Sequence, residues 1–316
     1  MKLSIVTTLY HSSIHIDEFY RRTSIVAQKL VGNDYEIILV NDGSPDNSLN
    51  IASEFTEIDP HITVIDLSRN FGHHKAMMTG LSYAKGELIF LIDSDLEEEP
   101  EWLLNFFHEI EKQQCDVIYG SQIQRKGGIF ERWSGQWFWY IFNKMTGMSL
   151  TENSVTARLM TKRYVNALLL HKEREVFIMG LWHLTGFDQQ PQKIKKHSSS
   201  KSTYTIHKKI SLLVNAITSF SNAPLISIFY LGFIISFLSG TYITYLVIQW
   251  IFFLKPLLGW TSVIASIWFL GGLTMSSLGV IGIYLSKIFL ETKKRPYTII
   301  RKIYTKKKGG GDEKYK

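Results

Sequence analysis

Two long apolar stretches in the C-terminal part constrain this chain most. Residues 225–254 and 261–286 contain no charged side chain, and each exceeds the roughly 20 apolar residues that cross the hydrocarbon core of a bilayer. Two buried core helices are the alternative interpretation, but charge-free stretches of this length are rare in soluble folds. Because only a short link containing Lys255 separates them, they predict a hairpin of two transmembrane helices.

Basic residues lie on the outer flanks of this predicted hairpin. Lys208 and Lys209 precede the first stretch, and many lysines and arginines between residues 287 and 308 follow the second. Positive charge is enriched on the cytoplasmic side of membrane proteins. The sequence therefore predicts that both termini and the N-terminal domain are cytoplasmic. Residues 1–13 are too polar to be a signal peptide.

The overall charge is basic, with a formal net charge of +7 at pH 7 and a pI of about 9.2. A basic chain indicates a polyanionic partner: phosphorylated ligands, an anionic membrane surface or nucleic acid. We predict no nucleic-acid binding, because the positive charge is concentrated beside the apolar stretches. The single cysteine, Cys115, excludes an intramolecular disulfide and a metal site built from several cysteines.

Strand and helix patterns alternate over the first 200 or so residues. Short apolar runs alternate with amphipathic segments in which apolar side chains recur at helical spacing. The predicted strands are 3–10, 35–46 with its turn, 62–68, 88–93 and 115–122, and the predicted helices are 15–30, 48–58, 75–86 and 100–113. This alternation predicts an α/β fold with a mostly parallel sheet and helices on both faces.

Polar residues follow three of the predicted strands. Thr8 and Tyr10 end the first strand, residues 41–46 follow the second, and Asp93 and Asp95 follow the fourth. Ligands bind at the carboxyl ends of the strands in open α/β sheets, so we expect these clusters to meet in space. The chain has neither a GxGxxG nor a GxxxxGK[ST] motif, so phosphates must be held by other means.

Five carboxylates crowd the segment between residues 93 and 99. They repel one another unless positive charge lies among them. One interpretation is a solvated acidic turn that begins a helix near Pro100. The other is a divalent cation site, since Mg²⁺ is commonly bound by one or two carboxylates together with the substrate's phosphates. We favour the cation site.

Five sequence motifs occur in order: VTTLYHSS, ILVNDGSPDNS, LSRNFGHHKAMMTGL, GELIFLIDSDLEEEPE, and SFSNAPL followed by the two apolar stretches. Their order and spacing resemble the family 2 glycosyltransferases of the dolichol-phosphate mannose synthase type, and in particular bacterial polyprenyl-phosphate glycosyltransferases. The resemblance covers roughly residues 3 to 304. It implies a cytoplasmic domain with the GT-A (Rossmann-like) α/β fold and a C-terminal two-helix transmembrane hairpin.

The resemblance places the family's DxD motif at residues 93–95. It implies that Asp95 and Glu97 bind Mg²⁺ or Mn²⁺, which bridges the diphosphate, and that Asp93 contacts the ribose or the sugar. Many members have Gln at the Glu97 position, and a carboxylate there keeps or strengthens metal binding. The implied catalytic set is Asp93, Asp95 and Arg158.

The resemblance also implies a nucleotide-sugar site. Its predicted residues are Thr8, Tyr10, Asp42, Lys75 and Asp93. Residues 8–12 read Thr-Leu-Tyr-His-Ser, where the family usually has Pro-x-Tyr-Asn-Glu, so the base and the sugar stay open. Lys75 is equally well explained as an ordinary lysine on a helix surface.

A second departure concerns the general base. Thr156 stands where related enzymes often have an Asp that is discussed as the base. A lipid phosphate is already anionic near pH 7, so it needs positioning and charge stabilisation rather than a base, whereas a sugar hydroxyl needs one. Thr156 therefore favours a phosphate acceptor. The predicted acceptor-phosphate residues are Arg125, Arg158 and Lys201.

Two segments are predicted to lie along the membrane surface. Residues 131–147 place Trp137 and Tyr140 on one helical face, although a core helix is the alternative, and residues 206–224 lead into the first apolar stretch. The predicted division is a GT-A domain at 1–205, an interfacial helix at 206–224, two transmembrane helices at 225–290 and a basic cytoplasmic tail at 291–316.

The sequence thus predicts an inverting, metal-dependent transferase of the bacterial inner membrane. It moves a sugar from a nucleotide sugar to a polyprenyl phosphate such as undecaprenyl phosphate. One alternative is transfer to a hydroxyl of a lipid-linked saccharide in surface polysaccharide (O-antigen, lipopolysaccharide) assembly, and another is a non-catalytic membrane partner. Gly271 and Gly272 permit close helix packing, and hence a homo-oligomer.

Overall fold

The computed structural model describes residues 1–122, 137, 140–148, 153–173, 177–195, 206–253 and 259–306. The chain divides into two compact units. Unit 1 comprises Met1–Gln136, Leu150–Thr203 and Arg295–Lys316, and unit 2 comprises Trp137–Ser149 and Tyr204–Lys294. Both segments of unit 2 are therefore insertions into the sequence of unit 1.

Unit 1 is built on one eight-stranded mixed sheet with helices packed against it. The strands are β1 (Leu3–Leu9), β2 (Tyr35–Asn41), β3 (Ile62–Leu67), β4 (Leu88–Leu91), β5 (Val117–Gln122), β6 (Ser154–Thr161), β7 (Gln189–Ile194) and β8 (Ile300–Thr305). The helices are α1 (Ile16–Val31), α2 (Ser48–Ile58), α3 (His73–Tyr83), α4 (Trp102–Gln113), α5 (Lys162–Leu168) and α6 (Ile178–Leu184).

The strand order is β7-β5-β6-β4-β1-β2-β3-β8. Strands β3, β2, β1 and β4 pair in parallel, as does β7 with β5. Strand β6 is antiparallel to both β4 and β5, and β8 is antiparallel to β3. The predicted strand and helix alternation is confirmed, and the sheet is parallel in its centre and mixed towards its edges.

The continuous apolar runs of the sequence form the centre of the sheet. Every residue of β1 and β2 is buried, as is usual for parallel strands covered on both faces. The core joins these strands to the apolar sides of α1 and α4 through Phe19, Phe90 and Phe106. The rings of Phe90 and Phe106 meet edge to face, with their centroids 6.0 Å apart.

Strand β8 lies within the segment that the sequence analysis predicted to be a basic tail. Its backbone pairs with β3 from Thr63↔Thr305 to Leu67↔Ile300. Arg301 lies beside the buried Asp66, with Nη1 3.6 Å from Oδ2, and donates a hydrogen bond to the Ser68 carbonyl. The prediction missed this strand because its basic residues resemble a solvated tail. The predicted domain boundaries stay predictions.

The described part of unit 2 consists of helices and short connections between them. Residues 140–146 are helical, and three longer helices follow: α7 (Ile206–Phe220), α8 (Ala223–Phe253) and α9 (Trp260–Thr292). Within the described residues, Ser266–Thr292 is long and apolar enough to cross a membrane. The helical segments Leu213–Phe220 and Ala223–Ser239 are long and apolar enough only when taken together, and a bend of 88° separates them.

Polar contacts hold the bend between α7 and α8. The Ser221 hydroxyl donates to the Met145 carbonyl, and the Tyr284 hydroxyl donates to the Ser221 carbonyl at 2.5 Å. The Lys287 ammonium of α9 donates to the Ser219 hydroxyl at 2.6 Å. Much of the predicted interfacial helix at 131–147 lies outside the described residues.

Candidate active site

The carboxyl ends of three neighbouring strands form the candidate site. Strand β1 lies between β2 and β4, and all three run in parallel. Thr8 near the end of β1, Asp42 directly after β2 and Asp93 just after β4 therefore lie at one edge of the sheet. The predicted convergence of these polar clusters is confirmed.

Asp46 organises the loops at this edge. Its Oδ1 accepts hydrogen bonds from the Ser44 and Ser48 hydroxyls, both at 2.5 Å, and its Oδ2 accepts one from the Ser13 backbone N–H at 3.0 Å. Burial favours the neutral acid, but these hydrogen bonds outweigh it and hold the Asp46 pKa well below its usual range. The serines of NDGSPDNS thus connect the loops after β1 and β2, a role that the sequence analysis missed.

Ser94, the middle residue of the DxD segment, ties the end of β4 to β1. Its hydroxyl donates to the Thr8 carbonyl at 2.9 Å and lies 3.0 Å from the Ser12 hydroxyl. Ser94 is buried, whereas Asp95 beside it is exposed and Asp93 is partly exposed. The motif therefore anchors its central residue, leaves Asp95 exposed and leaves Asp93 partly exposed.

Asp42 is buried and fixes the loop that leads into α3. Its two carboxylate oxygens accept hydrogen bonds from the backbone N–H groups of Phe71, at 2.7 Å, and Gly72, at 3.0 Å. Burial raises the Asp42 pKa, and these hydrogen bonds offset the effect only in part. The described contacts give Asp42 a structural role. Its predicted contact with the nucleoside stays a prediction.

His73, the first residue of α3, joins the predicted site residues although the sequence analysis did not single it out. Its Nδ1 lies 2.9 Å from Thr8 Oγ1, and its Nε2 lies 3.2 Å from Asp93 Oδ1. Burial lowers the His73 pKa, but the nearby carboxylates of Asp93, Asp42 and Asp95 outweigh burial and raise the pKa above its ordinary value. A single histidine at the start of a helix gives no periodic signal, so sequence patterns did not mark it.

The acidic segment after β4 makes a tight turn. The Glu97 backbone N–H donates to Asp95 Oδ1 at 3.0 Å. Leu96 adopts a left-handed conformation with φ 59°, which is strained for a branched side chain and is often found at functional sites. The turn sets the positions of the two carboxylates predicted to bind metal, Asp95 and Glu97.

The donor set fits a hard divalent cation only in part. Carboxylate oxygens suit Mg²⁺ and Mn²⁺, and the predicted ligands Asp95 and Glu97 carry them in the turn after the buried Ser94. Within the described residues, no group of three His, Cys, Asp or Glu side chains is arranged to hold a metal ion. The residues therefore fit a cation that takes its remaining ligands from a substrate's phosphates.

A cleft of about 290 Å³ adjoins these residues on the β4–β6–β5 side of the sheet. Its lining residues are His73, His74, Met77, Glu98, Gln122, Asn153, Ser154, Val155, Thr156, Ile178, Met179 and Trp182. Glu98 is only 1% exposed, and its Oε1 accepts a hydrogen bond from the Thr156 backbone N–H at 3.0 Å. A buried carboxylate thus lies beside the position where the family base was expected.

Arg158 is buried, with only 2% of its surface exposed. Its guanidinium packs on the ring of Trp182 and donates to the carbonyls of Val155 and Thr156. Burial lowers the Arg158 pKa to about 9, with partial compensation from Tyr164 and Glu98, so the group stays charged at pH 7. Arg158 therefore has almost no exposed surface in this structure, and its predicted contact with a lipid phosphate stays a prediction.

The other predicted residues are more peripheral or lie outside the described ranges. Tyr10 is half exposed and its ring meets that of His11 edge to face. Lys75 lies in the first turn of α3, two residues after His73. Arg125 and Lys201 fall outside the described residues, so their predicted phosphate contacts stay predictions.

Residues 5–169 match the family model described as glycosyl transferase family 2. The chain belongs to glycosyl transferase family 2. The matched residues begin within β1 and include β2 to β6 and every described site residue up to Arg158. Family membership together with the sheet order identifies a glycosyltransferase with the GT-A fold, as predicted.

Relatives match almost the whole chain. A glycosyltransferase of Mycobacterium tuberculosis is 49% identical over 304 residues, which cover 96% of this chain and 89% of the relative. A prophage-derived bactoprenol glucosyl transferase of Shigella flexneri is 32% identical over 307 residues, which cover 96% of this chain and 98% of the relative.

Among solved structures, a mannosyltransferase from Pyrobaculum calidifontis in complex with GDP-Man and Mn²⁺ aligns with a TM-score of 0.48 at 14% identity. The alignment covers 69% of this chain and 63% of the mannosyltransferase chain.

Proposed function

We propose that this glycosyltransferase moves a sugar from a nucleotide sugar to a polyprenyl phosphate at a membrane. The main support is the similarity to the bactoprenol glucosyl transferase, which extends over 98% of that relative and so includes the segment that forms α7 to α9. A similarity confined to the GT-A fold would leave the acceptor open, since one fold serves many acceptors.

On the donor side, the proposal is supported by the carboxylates of Asp95 and Glu97 in the turn after β4. Asp95 and Glu97 would hold Mg²⁺ or Mn²⁺, which would neutralise charge on the departing diphosphate. Asp93 contacts the ribose or the sugar, and Thr8, Tyr10 and Asp42 form the nucleoside side of the site. Because the acceptor attacks from the face opposite the departing diphosphate, the reaction inverts the configuration of the transferred sugar.

On the acceptor side, the proposal needs no general base. A lipid phosphate brings its own anionic oxygen, so positioning and charge stabilisation suffice. Arg125 and Lys201 are the proposed direct phosphate contacts. Arg158, whose guanidinium packs on Trp182, is proposed to add positive charge for the acceptor phosphate.

The helices of unit 2 support a membrane location. The side chains of Ser266–Thr292 are unburied although the segment is strongly apolar, and large residues such as Phe233, Trp268 and Met275 are exposed. Exposed apolar helices of this length suit lipid rather than water. We propose that α8 and α9 cross the inner membrane, that the catalytic unit and both termini are cytoplasmic, and that copies associate through the span glycines.

The experiment that tests this function uses the purified protein in detergent. Labelled UDP-, GDP- and dTDP-sugars are offered with undecaprenyl phosphate and Mg²⁺ or Mn²⁺, and EDTA is the control. Label that moves from one donor into an acid-labile lipid monophosphate sugar, and that stops moving with EDTA, is the expected result. Transfer only to a lipid-linked saccharide would overturn the phosphate acceptor.

One observation favours the second candidate, transfer to a hydroxyl of a lipid-linked saccharide. Glu98 places a buried carboxylate beside Thr156 in the cleft, where a hydroxyl acceptor needs a base. Glu98→Gln therefore separates the two functions. For a phosphate acceptor we expect a change of less than about threefold in kcat, whereas a hydroxyl acceptor predicts a loss of roughly 10²–10⁴-fold.

A further inference from the structure

We propose that His73 is a positioning residue that bridges Thr8 to Asp93 and so holds the Asp93 carboxylate in a fixed orientation towards the nucleotide sugar. The inference rests on the proposed function, because it requires a nucleotide sugar at the carboxyl ends of β1 and β4. It extends that function by naming a residue that acts on the donor through another side chain.

The geometry of the bridge is the first support. The imidazole uses one nitrogen on each neighbour: Nδ1 lies 2.9 Å from Thr8 Oγ1, and Nε2 lies 3.2 Å from Asp93 Oδ1. Strands β1 and β4 are adjacent and parallel. One ring therefore connects the ends of the two strands between which the donor is proposed to bind.

The bridge has fixed supports. Thr8 is a buried residue of β1. The start of α3 is held because the N–H groups of Phe71 and Gly72 donate to the buried Asp42. His73 follows directly, so its backbone starts from a fixed position. The remaining member is Asp93, which directly precedes the anchored Ser94 and the acidic turn that contains Leu96.

The charges explain why a histidine suits this position. Asp93 is one of five carboxylates within seven residues of chain, and like charges push it away from its neighbours. In the neutral tautomer that accepts a hydrogen bond from the Thr8 hydroxyl at Nδ1, the ring proton lies on Nε2, the nitrogen that faces Asp93; when the ring is charged, it forms an ion pair with Asp93. The contact is therefore available on both sides of the histidine titration.

A second histidine–aspartate pair provides a matched control. His61 Nδ1 lies 2.7 Å from Asp59 Oδ1, and His61 directly precedes β3, so the pair lies at the opposite edge of the sheet, away from the strand ends that carry the site. Its ring stacks on Tyr35. His61→Ala removes a comparable structural pair without touching the proposed donor site.

The test compares His73→Ala, His73→Gln and His61→Ala with the unmodified full-length protein in detergent. Binding of UDP-glucose, GDP-mannose and dTDP-glucose is measured by calorimetry without acceptor, and donor KM and kcat are measured with acceptor. We expect His73→Ala to weaken donor binding and raise the donor KM by about 10–100-fold, as when a partner that orients a ligand is removed. His73→Gln, which keeps an N–H near the Nε2 position, should restore most of the binding.

Three results decide the inference. It is supported if His61→Ala lowers the thermal unfolding midpoint but leaves donor binding unchanged, and if His73→Ala adds no further loss in an Asp93→Ala background. It is overturned if His73→Ala binds donor within twofold of the unmodified protein, or if Gln fails to rescue while stability falls as in His61→Ala. If the unmodified protein binds no nucleotide sugar, the proposed function itself is overturned, and the role of His73 with it.

Discussion

Gly43 follows β2 at a point where a side chain has no room. Its φ is +61°, and an added Cβ would lie 2.5 Å from the backbone nitrogen of Asn70. Gly32 has nearly the same φ, +62°, but open space around it. Gly32 has ψ −126°, outside the left-handed helical region, and we expect Gly32→Ala to lower the free energy of unfolding by about 1–3 kcal/mol through backbone strain alone. Gly43→Ala carries a clash with the backbone of Asn70 as well, worth about 1–3 kcal/mol, so we expect it to cost more.

Thermal unfolding of the two variants measures this difference, since both carry positive-φ strain and only Gly43→Ala carries the clash. Equal shifts in the unfolding midpoint would mean that the loop after β2 moves aside at little cost. The contacts of Asp42 and Asp46 argue against such movement, because they join this loop to those after β1 and β3.

Asp95 is exposed, so it is available for catalysis at little structural cost. Asp95→Ala should reduce kcat by at least about 100-fold, as the loss of a group that stabilises developing charge does, and leave the unfolding midpoint unchanged. Asp17→Ala, an exposed acid on α1, is the control and should retain full activity in the same transfer assay. Full activity of Asp95→Ala would remove the metal hypothesis.

Asp116 gives the fold a testable pH dependence. It accepts hydrogen bonds from Thr161 at 2.9 Å and from Arg163 at 2.5 and 2.8 Å. Burial raises the Asp116 pKa, but these bonds outweigh it and lower the pKa below its usual value. A carboxylate whose pKa is lower in the folded than in the unfolded state stabilises the fold at pH values above its unfolded-state pKa. This stabilisation is lost as the pH falls through the folded-state pKa.

Asp116→Asn should therefore be less stable than the unmodified protein at pH 7, by about 1 kcal/mol because Arg163 is largely exposed. The difference in the free energy of unfolding between the two proteins should become smaller as the pH falls below about 4. Denaturant unfolding across that range measures it. A gap that is constant with pH would show that the ionised carboxylate contributes nothing.

At the scale of elements, strand β8 closes the β3 edge of the sheet. An uncovered edge strand presents unpaired backbone groups and invites association with other chains. Truncation after residue 299 should lower the unfolding midpoint and increase aggregation in light scattering. Truncation after residue 306 keeps the strand and is the control. Identical behaviour of the two truncations would show that β8 adds no stability.

How well each element could be predicted follows from its environment. The centre of the sheet was predictable because β1, β2 and β4 are buried and read as short apolar runs between amphipathic helices. Strands β6, β7 and β8 were not predicted. The sequences of β7 and β8, QQPQKI and IRKIYT, carry polar and basic side chains, as edge strands often do. Thr8, Asp42 and Asp93 were predicted to converge, since strand ends meet by topology. His73 and Glu98 could not be predicted, because their roles depend on contacts with residues distant in sequence: Thr8 and Asp93 for His73, and Thr156 for Glu98.

At the scale of the whole molecule, unit 1 needs sequence from both sides of unit 2. A truncation near residue 210 removes β8 together with the apolar helices. The loss of the edge strand and the loss of the helices could then not be told apart. Replacing 204–294 with a flexible glycine–serine linker separates them. We expect this variant to bind nucleotide sugar like the full chain but to transfer poorly to a long-chain polyprenyl phosphate. Equal rates on the long-chain lipid would show that the helices serve only as an anchor.

The late position of β8 also sets an order of events during synthesis. Its partner β3 ends at Leu67, and β8 begins at Ile300, so the ribosome must make all of α8 and α9 before the sheet can close. At about 5–20 residues per second this interval lasts on the order of tens of seconds. If synthesis stops within the apolar helices, the nascent chain keeps an unpaired β3 edge. We expect such a chain to be bound by chaperones or degraded by proteases.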